Sequence, residues 1–226
     1  MREIILDTET TGFDPDQGDR IVEIGCVETQ YHIATGETFH VYVNPERDMP
    51  EGAFGVHGLS EEFLSDKPVF AEVVENFLTF IGGSPLVIHN AEFDMKFLNS
   101  ELKKIGRPLL DQDRSIDTVA MARRKFPGAQ ANLDALCRRF DVDLSRREKH
   151  GALLDAELLA EVYLQLCGGL QPGLELTGNG AASDNQVVVQ RQARVARAHA
   201  PSPEELAAHA ALVEVLREPV WTSKES

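Results

Sequence analysis

Positive charge is scarce in this chain. Lys and Arg number 22 against 37 Asp and Glu, a net charge of −15. Proteins that hold nucleic acid by their own field release counterions with Lys and Arg, so this composition argues against a simple nucleic-acid binding module. An acidic chain can still act on nucleic acid if divalent cations supply positive charge locally, or if a partner holds it in place. Long apolar runs are also missing. No stretch approaches the ~20 residues needed to span a bilayer, and the apolar stretch after Met1 is short and soon acidic at Asp7, unlike a signal peptide. A soluble, cytoplasmic protein with no membrane partner is expected. Cysteine is rare: Cys26, Cys137 and Cys167 form no C-x-x-C pair. That excludes a zinc or disulfide framework and leaves three buried, reduced thiols as the expectation. Tryptophan occurs once, at Trp221.

What is present is an ordinary globular composition, 42% apolar and 26% charged over 226 residues. The length suits one sizeable domain plus an appendage rather than two domains. Strands are read at Arg2–Leu6, Arg20–Val27 and Thr38–Val43, with short strands at Leu86–Ile88 and Ile116. Helical spacing marks Phe70–Ile81, the stretch around Phe93–Leu102, Val119–Phe126, Leu133–Phe140 and Ala152–Leu166. Residues Asn44–Leu59, rich in Pro and Gly, read as a loop. Hairpin strands followed by alternating strands and helices give an α/β class, a mixed sheet flanked by helices.

Composition changes after Leu166. Six Gly or Pro fall between Gly168 and Gly180, which reads as a flexible linker. Three segments follow: a domain over 1–167, a linker over 168–201 and a terminal segment over 202–226. In the last, Ser202-Pro203-Glu204-Glu205 is a helix start with Ser as N-cap and Glu three residues on. Leu206, Ala210, Val213 and Leu216 are read as one apolar stripe. A single short helix cannot bury its own face, so the stripe docks on another chain or, alternatively, back on the domain.

The chemistry is carried by acids. Asp7 and Glu9 are two apart, so on an extended segment they share a face. They repel unless a cation lies between them, although Asp-x-Glu is also an ordinary polar turn. Asp94 stands where the Leu86–Ile88 strand gives way to a helix, among Phe93 and Phe97; the dipole of a helix first turn would favour it equally. Asp155 falls on the apolar stripe of Ala152–Leu166, where a carboxylate must be paired or metal-bound. His150 lies at the start of that helix and can reach the same centre, or can be a cap. Four carboxylates with one His suit Mg²⁺ or Mn²⁺. Two such ions ~4 Å apart can bind the attacking and leaving oxygens of phosphodiester hydrolysis, and a His can take a proton from water near neutrality.

Three segments, Asp7-Thr8-Glu9-Thr10-Thr11-Gly12, His89-Asn90-Ala91-Glu92-Phe93-Asp94 and His150-Gly151-Ala152-Leu153-Leu154-Asp155-Ala156, resemble the three exonuclease motifs of the DEDD superfamily, His-containing branch. The resemblance covers roughly residues 1–167. Within the branch, Phe54–Leu59, Asp66-Lys67-Pro68 and Asn132–Cys137 look like the proofreading-subunit family of bacterial DNA polymerase III. The resemblance implies a ribonuclease H-like sheet and 3′→5′ exonuclease activity on a single-stranded or frayed DNA 3′ end. It assigns Asp7, Glu9, Asp94 and Asp155 to two Mg²⁺ or Mn²⁺ ions, and His150 to general-base work. His57 matches a residue near the terminal nucleotide. Glu51, one place displaced from the family's spacing, is the candidate for a second contact there, and Asp7, Glu9 and Asp155 also face the substrate. It further implies a Gly-rich linker and a C-terminal segment that binds the polymerase's alpha catalytic subunit within a replisome. Gln171-Pro172-Gly173-Leu174-Glu175-Leu176 resembles a sliding-clamp peptide with Leu176 in place of the final aromatic; the alternative is plain linker. RNA trimming within the same branch, or a non-catalytic stabilising subunit, are the competing functions. The tail argues against the first and the intact acids against the second.

Overall fold

A computed structural model describes residues 1–145, 147, 149–169 and 200–215 of the chain. A five-stranded sheet orders the larger unit: β1 (Arg2–Thr10), β2 (Ile21–Gln30), β3 (Ile33–Tyr42), β4 (Leu86–Ile88) and β5 (Ser115–Asp117), arranged β3-β2-β1-β4-β5. The β1–β2 and β2–β3 pairs are antiparallel; β4 and β5 join parallel. The helices are α1 (Glu51–His57), α2 (Glu61–Leu64), α3 (Phe70–Ile81), α4 (Ala91–Lys104), α5 (Thr118–Lys125), α6 (Leu133–Phe140) and α7 (Ala152–Leu166).

The period-2 alternation of β1 sorts its side chains between two cores. Ile4 and Leu6 join Ile24, Phe77 and Phe97 on the side of α3 and α4, whereas Ile5 joins Val27, Leu136, Leu159 and Val162 on the side of α6 and α7. Asp7 and Glu9 therefore continue the row of Ile5, towards α7. The central strand is buried on both faces, which explains its short continuous apolar run.

Several expectations need correction. β1 runs to Thr10 rather than ending at Leu6, so Asp7 and Glu9 lie inside a strand, not in a turn. Register with β2 carries the extension, Asp7 opposite Gly25 and Glu9 opposite Glu23. β3 begins at Ile33, five residues before the expected Thr38. The stretch read as loop contains α1, where Gly52 and Gly55 cost ~1 kcal/mol each in propensity. Tertiary contacts override that cost: His57 is buried and Lys149 lies over the Phe54 ring. Cys26 and Cys137 are buried, but Cys167 is exposed.

In the second unit, a helix α8 spans Pro203–Val215. Its expected capping box is present: Ser202 Oγ accepts from Glu205 N at 3.2 Å and Glu205 Oε2 accepts from Ser202 N at 2.8 Å. The expected single stripe is not. Leu212 and Val215 fall on other faces than Leu206, Ala210 and Val213, and Leu206, Leu212 and Val215 are all exposed. Leu216, Trp221 and the Gln171–Leu176 peptide lie outside the described residues, as does most of the linker.

Candidate active site

Three elements bring the acids to one place. β1 supplies Asp7 and Glu9, the first turn of α4 supplies Asp94, and the first turn of α7 supplies Asp155. Glu9 is 8% exposed, Asp94 and Asp155 3% each, while Asp7 is partly buried. Thr8, pointing to the opposite side of β1 from its neighbours, donates its hydroxyl to Asp94 Oδ1 at 2.7 Å and so ties α4 to the strand. His150 precedes α7 and is half exposed. Its backbone N–H donates to Val56 O at 3.3 Å, so the unexpected α1 anchors it. Glu9, Asp155 and His150 offer ligand atoms all within 4.8 Å of one another.

The electrostatics are those of a crowd of like charges. Burial, then the charges of Asp94, Glu9 and Asp155, hold the Asp7 carboxyl well above its usual range. Burial and the charges of Asp155, Glu23 and Asp94 push Glu9 up to about 8. Burial pushes Asp94 up to about 7 against the Thr8 hydrogen bond. Asp155 goes the other way. Burial would raise it, but hydrogen bonds from His150 and Arg147 outweigh that and lower it. Such a set holds its protons unless a cation compensates. Four carboxylate groups and an imidazole, oxygen-rich and partly open to solvent, fit a hard divalent ion.

Arg147 was not singled out in the sequence. Its Nε and Nη2 each donate to Asp155 at 2.6 Å, a bidentate pair. Nη1 reaches Asp134 and Nη2 lies 3.0 Å from His150 Nδ1. Asp155 thus has the partner its apolar stripe demanded. Glu23 was also missed. It lies opposite Glu9, 4% exposed, with His40 Nε2 2.7 Å from its carboxylate. Neither has a signal in the sequence, because register and loop closure decide both.

A cleft of about 590 Å³ opens on one side of the acids, lined by Glu9, Thr11, Phe13, Val56, His57 and Phe93 among others. His57 is 6% exposed; its Nδ1 accepts from Leu59 N at 3.0 Å, which leaves Nε2 to carry the proton, and Nε2 has no hydrogen-bond partner. Burial, the largest influence, lowers its pKa, and the residue lines this cleft. Glu51 is exposed and does not line the cleft, although its neighbours Pro50 and Gly52 do. Asp7, Glu9, Asp94, Asp155 and His150 are brought together; His57 is adjacent, and Glu51 is at the rim.

Residues 4–163 match the sequence profile of the family described as "Exonuclease" (RNase_T). The DNA polymerase III subunit epsilon of Rickettsia felis is 52% identical over 215 residues, covering 92% of this chain and 94% of that one. That of Escherichia coli K12 is 43% identical over 227 residues, covering 96% and 93%. Among solved structures, exonuclease X in complex with 5′ overhanging duplex DNA superposes with a TM-score of 0.59 at 27% identity, covering 73% of this chain and 90% of that one. The nuclease domain of 3′hExo, a DEDDh family member bound to rAMP, gives a TM-score of 0.65 at 21% identity, over 80% and 97%.

Proposed function

The chain belongs to the exonuclease family and, within it, to the epsilon subunits of bacterial DNA polymerase III, and from that premise we propose which of its residues perform the reaction. The enzyme is a metal-dependent 3′→5′ exonuclease that removes misincorporated nucleotides from the 3′ end of nascent DNA, the proofreading activity of the polymerase complex. Asp7, Glu9, Asp94 and Asp155 hold two divalent ions, Mg²⁺ or Mn²⁺. The observation that supports this is the convergence of four carboxylates, three of which burial, joined for Asp7 and Glu9 by neighbouring negative charge, holds above their usual pKa range. Bound there, such ions supply Lewis-acid charge against the phosphodiester.

His150 is the general base. Two groups compete for its Nδ1: Arg147 Nη2, which needs a lone pair, and Asp155 Oδ2 at 3.3 Å, which accepts a proton. With the proton on Nδ1 facing Asp155, Nε2 is free to take a proton from the attacking water. His57 donates from Nε2 to the terminal nucleotide in the apolar cleft, Glu51 contacts that nucleotide at the rim, and Asp7, Glu9 and Asp155 face its phosphate.

The domain is residues 1–167, joined through 168–201 to a segment, 202–226, that binds the polymerase alpha subunit. Gln171–Leu176 is a sliding-clamp peptide, and the working place is the cytoplasmic replisome. Asp7→Ala and Asp155→Ala should each lower degradation of single-stranded DNA by several orders of magnitude, since the bound charge carries most of the transition-state stabilisation. Near-normal turnover by either purified variant would overturn the assignment.

A further inference from the structure

The apolar cleft accounts for only one side of the acid centre. On the other side a polar cleft of about 370 Å³ is lined by Asp7, Asp134, Asp155, His150, Arg147 and also His89 and Asn132. His89 and Asn132 line in turn a second hollow of about 540 Å³, together with Asn90, Arg123 and Gln130. The two adjoin at His89 and Asn132, and among the described residues no acid lines the outer one. His89 is steadied by Thr118, whose Oγ1 is 2.9 Å from Nδ1, and Asn132 by capping α6, where its Oδ1 accepts from Ala135 N at 2.8 Å.

In the wall of the outer hollow Arg123 is the one charged side chain among the described residues, with no acid beside it. Arg123, Arg124 and Lys125 form the last turn of α5. Residues 118–150 hold eight Lys and Arg against four Asp and Glu, although the chain carries −15. An arginine in a hollow with no acid in its wall fits a strand phosphate, whereas the inner cleft sets Arg147 against Asp7, Asp134 and Asp155.

The reaction divides its substrate in the same way. Removing a 3′-terminal nucleotide breaks the bond between that nucleotide's phosphorus and the 3′ oxygen of its neighbour. The water oxygen joins phosphorus, and the leaving oxygen takes a proton to become the new 3′ hydroxyl. One nucleotide stays with the phosphate, and the rest of the strand lies on the leaving-group side. The terminal base has the apolar cleft of Phe13, Val56 and Phe93.

We infer that the polar cleft of His89, Asn90, Arg123, Gln130 and Asn132 seats the strand 5′ to the scissile bond, with Arg123 against its phosphates. This rests on the exonuclease reading of the acid centre, and a substrate lacking any strand separates the two. The p-nitrophenyl ester of thymidine 5′-monophosphate carries only a nitrophenyl ring beyond the leaving oxygen, with no further phosphate, and so reads the acid centre without strand contacts. The full chain and its Arg123→Ala and Arg123→Glu variants are assayed with Mn²⁺ on this ester and on a single-stranded oligonucleotide.

Arg123→Ala should lower the ratio of kcat/KM for oligonucleotide over ester about tenfold, through KM rather than kcat, and Arg123→Glu further. The slope of log KM against log salt on the oligonucleotide should fall by ~0.7, one phosphate contact on a single strand. An unchanged ratio, or an equal loss on both substrates, overturns the strand seat while leaving the acid centre intact. Failure of the parent to cleave either substrate overturns the acid-centre reading and the strand seat with it.

Discussion

Glu9 shows how the site is tuned residue by residue. Its carboxyl is pushed up to about 8 and that of Asp94 to about 7, by burial and, for Glu9, neighbouring charge. Both groups bind a proton in the fold at a pH where the unfolded chain, with carboxyls near ~4, has released it. The unfolded state then holds fewer protons, so stability falls as pH rises. With metal chelated, the melting temperature should drop between about pH 5 and pH 8 and level off above. Mg²⁺ or Mn²⁺ should flatten that slope, and Glu9→Gln should reduce it. Differential scanning calorimetry with an identical slope for parent and Glu9→Gln would contradict the link. At His150 the expectation is kinetic. His150→Ala should retain metal and strand binding yet lose ~10²–10⁴-fold in rate, and equal rates at pH 7 would exclude the base role.

Among the elements, α7 matters most, because it delivers Asp155 and follows His150. Its first turn lies directly on β2. A Cβ placed on Gly25 would come within 2.2 Å of Ala152 C and Leu153 N, and 2.4 Å of Ala152 O. All three are backbone atoms, so the helix itself would have to move. Gly25 pairs with Asp7, so the notch sets the distance between the β1 acids and Asp155. Ala152 and Ala156, fully buried on the same helix, keep the approach close. A shift of ~1 Å at a reacting centre can cost ~10²-fold in rate. Gly25→Ala should therefore keep its circular dichroism spectrum and lose about that factor in turnover, together with metal affinity by titration calorimetry. Parent-like turnover in a folded Gly25→Ala protein would show that the helix has room to spare.

For the whole molecule the decisive quantity is charge. A nuclease carrying most of a −15 balance gains little from its own field on DNA, so attachment to the polymerase must raise its local concentration. A chain ending at Leu166 should degrade free single strands at nearly the parent rate and no longer bind the polymerase catalytic subunit. Trp221→Ala should weaken that binding, as loss of an aromatic anchor does. A pull-down in which the shortened chain binds as tightly as the parent would place the docking surface on the nuclease domain.

The local patterns legible in the sequence are those set by near neighbours. The 3.6 period of Phe70–Ile81 matches α3 at both ends, and the Ser202 capping box formed as written. Asp155 stands out by itself as an acid on an apolar stripe, whereas Asp7, Glu9, Asp94 and His150 each also fit a polar turn, a helix first turn or a cap and are singled out as a set by the three motifs. What only tertiary structure decided depends on residues far apart in the chain. The bidentate hold of Arg147 on Asp155, the placing of Glu23 opposite Glu9 and the need for glycine at position 25 follow from strand register and from how closely α7 settles on the sheet. The helix α1 belongs with these, because its glycines disfavour it, and the burial of His57, the contact of Phe54 with Lys149 and the hydrogen bond from His150 N to Val56 O hold it from elsewhere in the chain.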